Sequence, residues 1–520
     1  MATISQSLKN IAKVAFGTLG SRLLGLLRDT LSMAYLGASA VSSSFFFGFT
    51  VPNLFRRLMG EGALSSAFIP IFTQSLRDES KEGAFDFLNK ILSRAILILA
   101  FLVLLGVTIS GAISLLGMYK FNSGDIFVLS SGFTAVMMPY MFFICLAALF
   151  CGALNVLGAF TLPALTAVWL NIAIIASIFA GGYFFYGSSL SIAKCMCAGV
   201  LLGGFAQFLI PAIELRTKGW RFKFDLGKSP QVSEFFKLFF PALLGASIIQ
   251  INMLVANTLA IFAGDVAMSA IYISSRLVEL PLGLFTFAIV SVYFPKLAML
   301  SRAEQKSEYS KEFSKALISL MFICIPASFG LIALSDDILK MLFQWGKFGS
   351  GDVEICSPIL AISALGIPFY SIATFSSRSF HSIKDTRTPV KIAFIAFIIN
   401  FAISLALIKP YGARGLVAAN VASGIFQAAS LFLLFNKRRA CERISLEILK
   451  ILAAASAMFA LVYALKSSLN FGYLSDPKLH SLILCAIAIP LAVAFYVAIL
   501  YTLKFREFAT LRNLLKRKVK

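Results

Sequence analysis

The chain has little charge, almost no histidine and no cysteine motif. Of its 520 residues only 13% are charged and two are histidines. In soluble domains roughly a quarter of the residues are charged. The eight cysteines form no CxxC pattern, and their one close pair is Cys195 and Cys197. Metal sites and disulfide frameworks need denser clusters of these residues. The composition therefore excludes an ordinary soluble protein, and we expect no metal site.

Signatures of nucleotide hydrolysis and of common hydrolases are also absent. No GxxxxGK occurs, and Gly346-Lys347 lacks the earlier glycine and the following Ser or Thr of a phosphate-binding loop. A membrane enzyme acting on a lipid pyrophosphate stays an alternative, but His381 and His480 lie far in sequence from the arginines described below. We expect a transporter without a cofactor, driven by an ion gradient or the membrane potential, with the coupling ion open.

What the chain has instead is a high hydrophobic content and long apolar stretches. Hydrophobic residues make up 59%, the mean hydropathy is +0.87, and the stretches 96–116, 127–149 and 392–408 carry no charge. A helix needs about 20 apolar residues to cross a bilayer core, and lipid forces backbone groups to pair internally. The sequence predicts an all-α polytopic membrane protein with about fourteen spans, at residues 14–36, 44–72, 88–117, 125–152, 159–182, 187–213, 234–263, 266–295, 312–335, 352–382, 386–408, 412–436, 446–466 and 478–503.

The net charge of +22 would suit nucleic acid, but its distribution indicates topology instead. Most Lys and Arg residues fall in the tails and in alternate loops on the N-terminal side, as in 216–228 and 437–443. The positive-inside rule then places both termini in the cytoplasm. We expect no nucleic-acid partner and no removable signal peptide. The basic tail 504–520 is predicted to be either an interfacial helix or a solvated tail.

Certain glycine and proline residues recur along the chain at a nearly constant separation, which indicates a duplication. The pairs, with their separations, are Gly37 and Gly264 (227 residues), Pro52 and Pro281 (229), Pro70 and Pro295 (225), and Pro163 and Pro389 (226). Six spans per repeat keep both halves in the same orientation, and such repeats build transporters with a central site. The predicted domains are an N-terminal lobe (1–215), a C-terminal lobe (216–440), two extra helices forming a lipid-tail groove (441–503) and a basic cytoplasmic tail (504–520).

Charged side chains inside the predicted spans are the strongest functional signal, because each costs about 2.5–3.5 kcal/mol at mid-membrane. Arginines outnumber the acids among them, and Arg presents a planar fork that matches phosphate oxygens. They predict a basic cavity for a lipid with a phosphate or pyrophosphate head; internal ion pairs that only fix helix packing are the alternative. The residues are Arg22, Arg28, Asp29, Arg56, Arg57, Glu61, Arg276 and Glu279.

Two prolines lie beside these charges. Pro52 precedes Arg56 and Pro281 follows Glu279, and a proline inside a helix removes one hydrogen bond and favours a bend. We expect both prolines to act as hinges in a moving cavity wall.

Several motifs resemble those of the lipid II flippase family of the MurJ/MviN type, within the multidrug/oligosaccharidyl-lipid/polysaccharide exporter superfamily. They appear in order as SRLLG with RD at 21–29, PNLFRR at 52–57, RLVELP at 276–281, FQWGKF at 343–348 and KDTRTPVK at 384–391. The resemblance implies two six-helix lobes plus two further helices. It also implies substrate-binding positions at Arg22, Arg28, Asp29, Arg56 and Arg276, with a second tier at Asn53, Arg57, Glu61, Glu279 and Arg387.

The resemblance also implies an activity. Lipid II, the undecaprenyl-pyrophosphate-linked peptidoglycan precursor, would pass from the inner to the outer leaflet of the bacterial cytoplasmic membrane by alternating access, for cell-wall synthesis, through a monomer. Ser43, Ser275 and Ile383 depart from the family pattern, and the first two replace acids. The alternatives are an exporter of another lipid-linked oligosaccharide and a multidrug exporter, although a basic cavity does not suit cationic drugs.

Overall fold

The computed structural model describes residues 20–58, 64–120, 125–302, 305–439, 445–468, 477–506 and 508. All regular structure in these ranges is helical, which confirms the predicted all-α class. The backbone contacts divide the chain into two compact units. Unit 1 comprises Met1–Ser269 and Trp345–Phe348, and unit 2 comprises Ala270–Gln344 and Gly349–Lys520.

Unit 1 is built from long apolar helices. The helix α2 packs on α5, α6 and α9, while α7 packs along α8. In chain order the helices are α1 (20–36), α2 (Ala40–Leu58), α3 (Leu64–Asp78), α4 (Lys81–Lys120), α5 (Ile126–Met137), α6 (Pro139–Val156), α7 (Thr161–Phe184), α8 (Ser189–Thr217) and α9 (Pro230–Phe262).

Unit 2 contains most of α10 and all later helices. A π-helical segment interrupts the predicted eighth span, and α17 packs on α12 and α18. The elements are α10 (Ala267–Pro281), the π segment (Leu282–Thr286), α11 (Phe287–Arg302), α12 (Lys306–Ala333), α13 (Ser335–Phe343), α14 (Ser350–Leu365), α15 (Ile367–Ser382), α16 (Arg387–Arg439), α17 (Ser445–Ser468) and α18 (Pro477–Thr502).

The 53-residue α16 is two helices in fact. Gly412 has a non-helical φ of 53° and ψ of −131°. Beyond it, the hydroxyl of Ser423 donates a 2.7 Å hydrogen bond to the carbonyl of Ala396. In a straight helix these residues would lie about 40 Å apart, so the chain must turn back at Gly412. The break falls close to the gap predicted between the spans 386–408 and 412–436.

Two predicted spans, 125–152 and 352–382, are each interrupted in the middle. The span 125–152 divides into α5 and α6 at Met138, where Pro139 begins the second helix. A proline has no N–H to continue the preceding helix, but it fits the first helical position. The corresponding break in unit 2 falls at Gly366, between α14 and α15. Met138 and Gly366 are 228 residues apart, near the offset of the sequence repeat.

The first residues of other helices are separated by nearly the same number of residues. The helices α4 and α12 begin at Lys81 and Lys306, 225 residues apart, and α7 and α16 begin at Thr161 and Arg387, 226 apart. These regularities accord with a duplication. The functional lobe boundaries drawn from it stay a prediction.

Ten helical segments in the described residues are long and apolar enough to cross a membrane. The outer surface of α4 carries exposed apolar side chains, such as Phe101 at 64% and Leu104 at 67%, which suits contact with lipid chains. The chain is therefore a multi-pass membrane protein. The total of fourteen spans remains a prediction, because short or bent helices such as α5 fall outside this count.

Ser43, one of the departures from the family pattern, caps a helix. Its hydroxyl oxygen accepts a 3.1 Å hydrogen bond from the backbone N–H of Ser269 in the first turn of α10. The first N–H groups of a helix have no partner within it, and Ser43 is fully buried. The serine therefore retains a polar contact at this position.

An ion-pair cluster holds α13 against the last two helices of unit 2. The Lys466 ammonium of α17 pairs with Asp336 and, at 2.8 Å, with Oδ2 of Asp337. The Ser481 hydroxyl of α18 donates a 2.9 Å bond to Oδ1 of Asp337, and Lys340 reaches Asp336 at 3.5 Å. Asp337 is 2% exposed, so the cluster places a carboxyl group in the protein interior.

Residues Trp345–Phe348 dock onto unit 1 through their backbone. The N–H of Lys347 donates a 2.8 Å bond to the carbonyl of Ala34, and the Lys347 ammonium bonds the carbonyl of Gly187 at 2.9 Å. Gly346 makes this approach possible, because its φ is +56° and an added Cβ would lie 2.3 Å from the Ala34 oxygen. The segment can therefore dock only with glycine at this position.

We expect Gly346→Ala to displace this segment and lower the melting temperature of the purified protein. The left-handed backbone of a non-glycine residue costs about 1–3 kcal/mol, and the clash with Ala34 adds to it. Gly349→Ala is the matched control, because nothing lies within 4 Å of its added Cβ. Equal melting temperatures of the two variants would contradict the docking role.

Candidate functional site

Arg28 lies at the centre of a buried polar cluster in unit 1. Its Nε and Nη2 donate to Oδ1 of Asp29 at 3.0 and 2.6 Å, and its carbon Cζ stands 6.0 Å from the Phe49 ring centre. Arg28 is 7% exposed and Asp29 is 2% exposed. A carboxylate this close offsets much of the cost of burying the guanidinium. The structure therefore brings together two of the predicted substrate-binding residues.

Asn171 is the member of this cluster that the sequence did not reveal. Its Oδ1 accepts a 3.1 Å hydrogen bond from Nη1 of Arg28. Its Nδ2 donates a 3.1 Å bond to the backbone carbonyl of Ser21. The available signal was one amide within the apolar helix α7, because polar groups inside membrane helices usually have a specific partner.

Arg56 and Arg57 lie near the end of α2 and are half-buried. The Nε of Arg56 donates a 2.8 Å bond to Oδ1 of Asn53, one turn earlier. The Nη1 of Arg57 approaches the sulfur of Met253 at 3.2 Å. Asn53 therefore orients the predicted ligand Arg56, which supports its second-tier position. The predicted residue Glu61 lies outside the described residues.

In unit 2, Arg276 is held by residues of its own helix. Its Nη1 donates to Oε2 of Glu279 at 3.0 Å, and its Nη2 donates to the Tyr272 hydroxyl at 2.9 Å. Its Cζ also lies 4.8 Å from the centre of the Tyr272 ring. The Arg276 side chain is 29% exposed, so the ring and the carboxylate orient it without enclosing it. Tyr272 is a second residue that sequence reasoning missed.

The other predicted site residues are more open. Arg22 is half-buried in α1, and Arg387 is exposed at the start of α16. Asp385 caps that helix, accepting bonds from the N–H groups of Arg387 at 3.1 Å and Thr388 at 3.0 Å. The motif around Arg387 thus has a structural role at the helix start.

The two predicted hinges differ in structure. Pro281 directly precedes the π segment Leu282–Thr286, and single π turns inside helices are frequent at functional sites. Pro52 lies within the continuous helix α2, where the nearby Thr50 hydroxyl donates a 2.8 Å bond to the carbonyl of Phe46. Hinge motion at either proline stays a prediction.

Arg28, Arg56 and Arg276 are thus each oriented by neighbouring side chains in partly or fully buried positions. For Arg28 and Arg276, the internal ion pairs that the sequence left as an alternative are present. Such pairing does not remove phosphate binding, because a phosphate oxygen can replace a carboxylate oxygen as acceptor of the same guanidinium donors. The geometry establishes one buried cation, Arg28, and two partly exposed ones, Arg56 and Arg276, each oriented by neighbouring carboxylate, amide or phenol groups.

Comparisons with known proteins agree with these motifs. The family model described as "Lipid II flippase MurJ" matches residues 33–482. A probable lipid II flippase MurJ of Rhizobium meliloti (strain 1021) is 30% identical over 526 residues, covering 98% of this chain and 96% of the relative. One of Vibrio cholerae serotype O1 is 32% identical over 441 residues, covering 83% of each chain.

Solved structures give the same result. A lipid II flippase MurJ in an inward closed conformation matches with a TM-score of 0.77 and 30% identity, covering 94% of this chain and 99% of that one. An inward-facing multidrug transporter of the MATE family matches with a TM-score of 0.66 at 15% identity, covering 83% of this chain and 98% of that one, and shows the shared fold alone. The extent of the family match shows that the chain belongs to the MurJ family of lipid II flippases.

Proposed function

We propose that this protein flips lipid II from the inner to the outer leaflet of the bacterial cytoplasmic membrane, by alternating access and for cell-wall synthesis. The family membership supports the substrate. The observation that carries the proposal is the buried Arg28 with its fixed orientation, because a guanidinium held inside a membrane protein suits a pyrophosphate head that must leave water. The protein is a transporter and carries out no chemical step.

The proposed ligands of the pyrophosphate are arginines. They are Arg22, Arg28, Arg56 and Arg276, with Asp29 opposing their charge. Asn53, Arg57, Glu61, Glu279 and Arg387 act in support. The planar fork of arginine binds two phosphate oxygens at once and keeps its charge when water is removed.

The proposed function also requires a driving force and a defined topology in the membrane. Both termini lie in the cytoplasm, in keeping with the basic loops and the positive-inside rule. The membrane potential or an ion gradient resets the positively charged arginines, since moving one charge across 100 mV involves about 2.3 kcal/mol. No cofactor and no nucleic acid takes part. The protein acts as a monomer, and α17 and α18 accommodate the polyprenyl tail.

Complementation tests the function directly. We expect the chain to restore growth and externally accessible lipid II in a bacterium depleted of its own lipid II flippase. The measurement is the fraction of lipid II that an external, membrane-impermeant reagent modifies, at matched protein abundance. If the expressed protein restores neither, the proposal fails, and export of another lipid-linked oligosaccharide replaces it.

A further inference from the structure

Asn171 is a polar residue at a position where polarity is costly. It lies within α7, is 5% exposed and has buried apolar neighbours such as Leu170 and Ile174. An amide buried without hydrogen bonds costs several kcal/mol by transfer from water. Both ends of the Asn171 amide are bonded, however, and both partners belong to α1. The amide therefore links two helices through the cluster that contains Arg28.

The two bonds determine which way the amide points. An amide oxygen can only accept and an amide nitrogen can only donate. The oxygen faces Nη1 of Arg28 at 3.1 Å, and the nitrogen faces the carbonyl of Ser21 at 3.1 Å. Ser21 lies about two turns before Arg28 on α1, so the same side chain fixes the backbone and the guanidinium of one helix. Neither leucine nor aspartate offers both an acceptor and a donor at this position.

We propose that Asn171 is a positioning residue for Arg28, an inference that rests on the proposed function. Asp29 occupies Nε and Nη2 of Arg28, and Asn171 holds Nη1 with a neutral acceptor. The guanidinium is thereby fixed in direction, and its Nη1 faces an acceptor that carries no charge. A lipid phosphate that bonds Nη1 then displaces a neutral group rather than an anion.

The test replaces the neutral acceptor with a charged one of the same shape. Asn171→Asp places an added carboxylate beside Nη1 of Arg28. Gln207→Glu is the matched control, because Gln207 is also buried at 2% and bridges two helices, accepting from the Tyr140 hydroxyl at 3.3 Å and donating to the carbonyl of Thr166 at 2.9 Å. The full chain in nanodiscs is titrated with undecaprenyl pyrophosphate and with uncharged undecaprenol.

We expect Asn171→Asp to weaken binding of undecaprenyl pyrophosphate about tenfold or more, since a like charge now opposes the phosphate, and to leave binding of undecaprenol unchanged. Gln207→Glu should alter neither affinity. A purely structural role for Asn171 would move both lipids together. Unchanged pyrophosphate binding in Asn171→Asp, or an equal loss in Gln207→Glu, overturns the inference.

Two further measurements keep the test decisive. If the acidic variants do not accumulate, Asn171→Ala and Gln207→Ala are titrated in the same way; the first should again lose selectivity for the pyrophosphate lipid, and the second should not. If the unaltered protein itself fails to prefer undecaprenyl pyrophosphate over undecaprenol, the proposed function fails. If it does prefer the pyrophosphate lipid and Asn171→Asp prefers it equally, only the role of Asn171 fails.

Discussion

Replacing Arg28 with alanine is expected to abolish rescue of a strain depleted of its lipid II flippase. A hydrogen bond from a charged donor contributes about 1.5–3 kcal/mol, so losing the fork lowers the affinity for the pyrophosphate roughly 10- to 100-fold. Arg28→Lys should also be impaired, because an ammonium keeps the charge but cannot form two parallel bonds. The measurement is externally accessible lipid II at equal protein abundance.

The control separates binding from folding. Arg28→Ala leaves Asp29, which is 2% exposed, without the guanidinium that bonds it, and an uncompensated buried charge destabilises a protein by about 3–5 kcal/mol. The double variant Arg28→Ala/Asp29→Asn removes that charge and should recover the melting temperature without recovering transport. Full transport by either variant would show that Arg28 is not a ligand of the lipid.

Replacing Lys466 with methionine is expected to produce a large loss of stability in unit 2. The ammonium of Lys466 pairs with both Asp336 and Asp337, and Asp337 is almost completely buried. Leaving that carboxylate without its cation costs about 3–5 kcal/mol. Thermal unfolding of the purified protein measures the loss, and Lys466→Met/Asp337→Asn should recover part of it.

The chain offers a matched control on one of the same carboxylates, Asp336. Lys340 pairs with Asp336 at 3.5 Å, and both side chains are 29% exposed. Pairs of this kind contribute about 0–1 kcal/mol, so Lys340→Met should have a small effect. A loss as large as that of Lys466→Met would show that the number of cations, and not burial of Asp337, determines the stability.

Acid should weaken the same cluster. Burial by itself would raise the pKa of Asp336, but its ion pairs with Lys466 and Lys340 outweigh burial and lower the pKa below its usual value of 3.8. A carboxyl whose pKa is lowered by folding stabilises the protein fully above the unfolded value. This stabilisation is lost as the pH falls through the folded value. The difference in melting temperature between Lys466→Met and the unaltered protein should therefore shrink below about pH 4.

The sequence by itself determined the membrane class, the helical architecture and the identity of the arginines. Long uncharged stretches must form helices in lipid, because every backbone group needs an internal partner. The same apolar runs predicted a gap between the spans 386–408 and 412–436, and the structure places the turn beside it at Gly412. Arginines inside such runs are costly enough to mark a site before any coordinates are known.

Only the tertiary structure decided which distant groups pair with each buried charged side chain. Asn171 bonds Arg28 across 143 positions of sequence, and Lys466 reaches Asp336 across 130. Local periodicity says which face of a helix is apolar, but it does not say which residue of a distant helix comes opposite a given charge. Those partners follow from the contact of α1 with α7 and from the packing of α13 on α18 beside Lys466 of α17. Buried polar groups are costly when unpaired, so the loss of either contact should destabilise the protein.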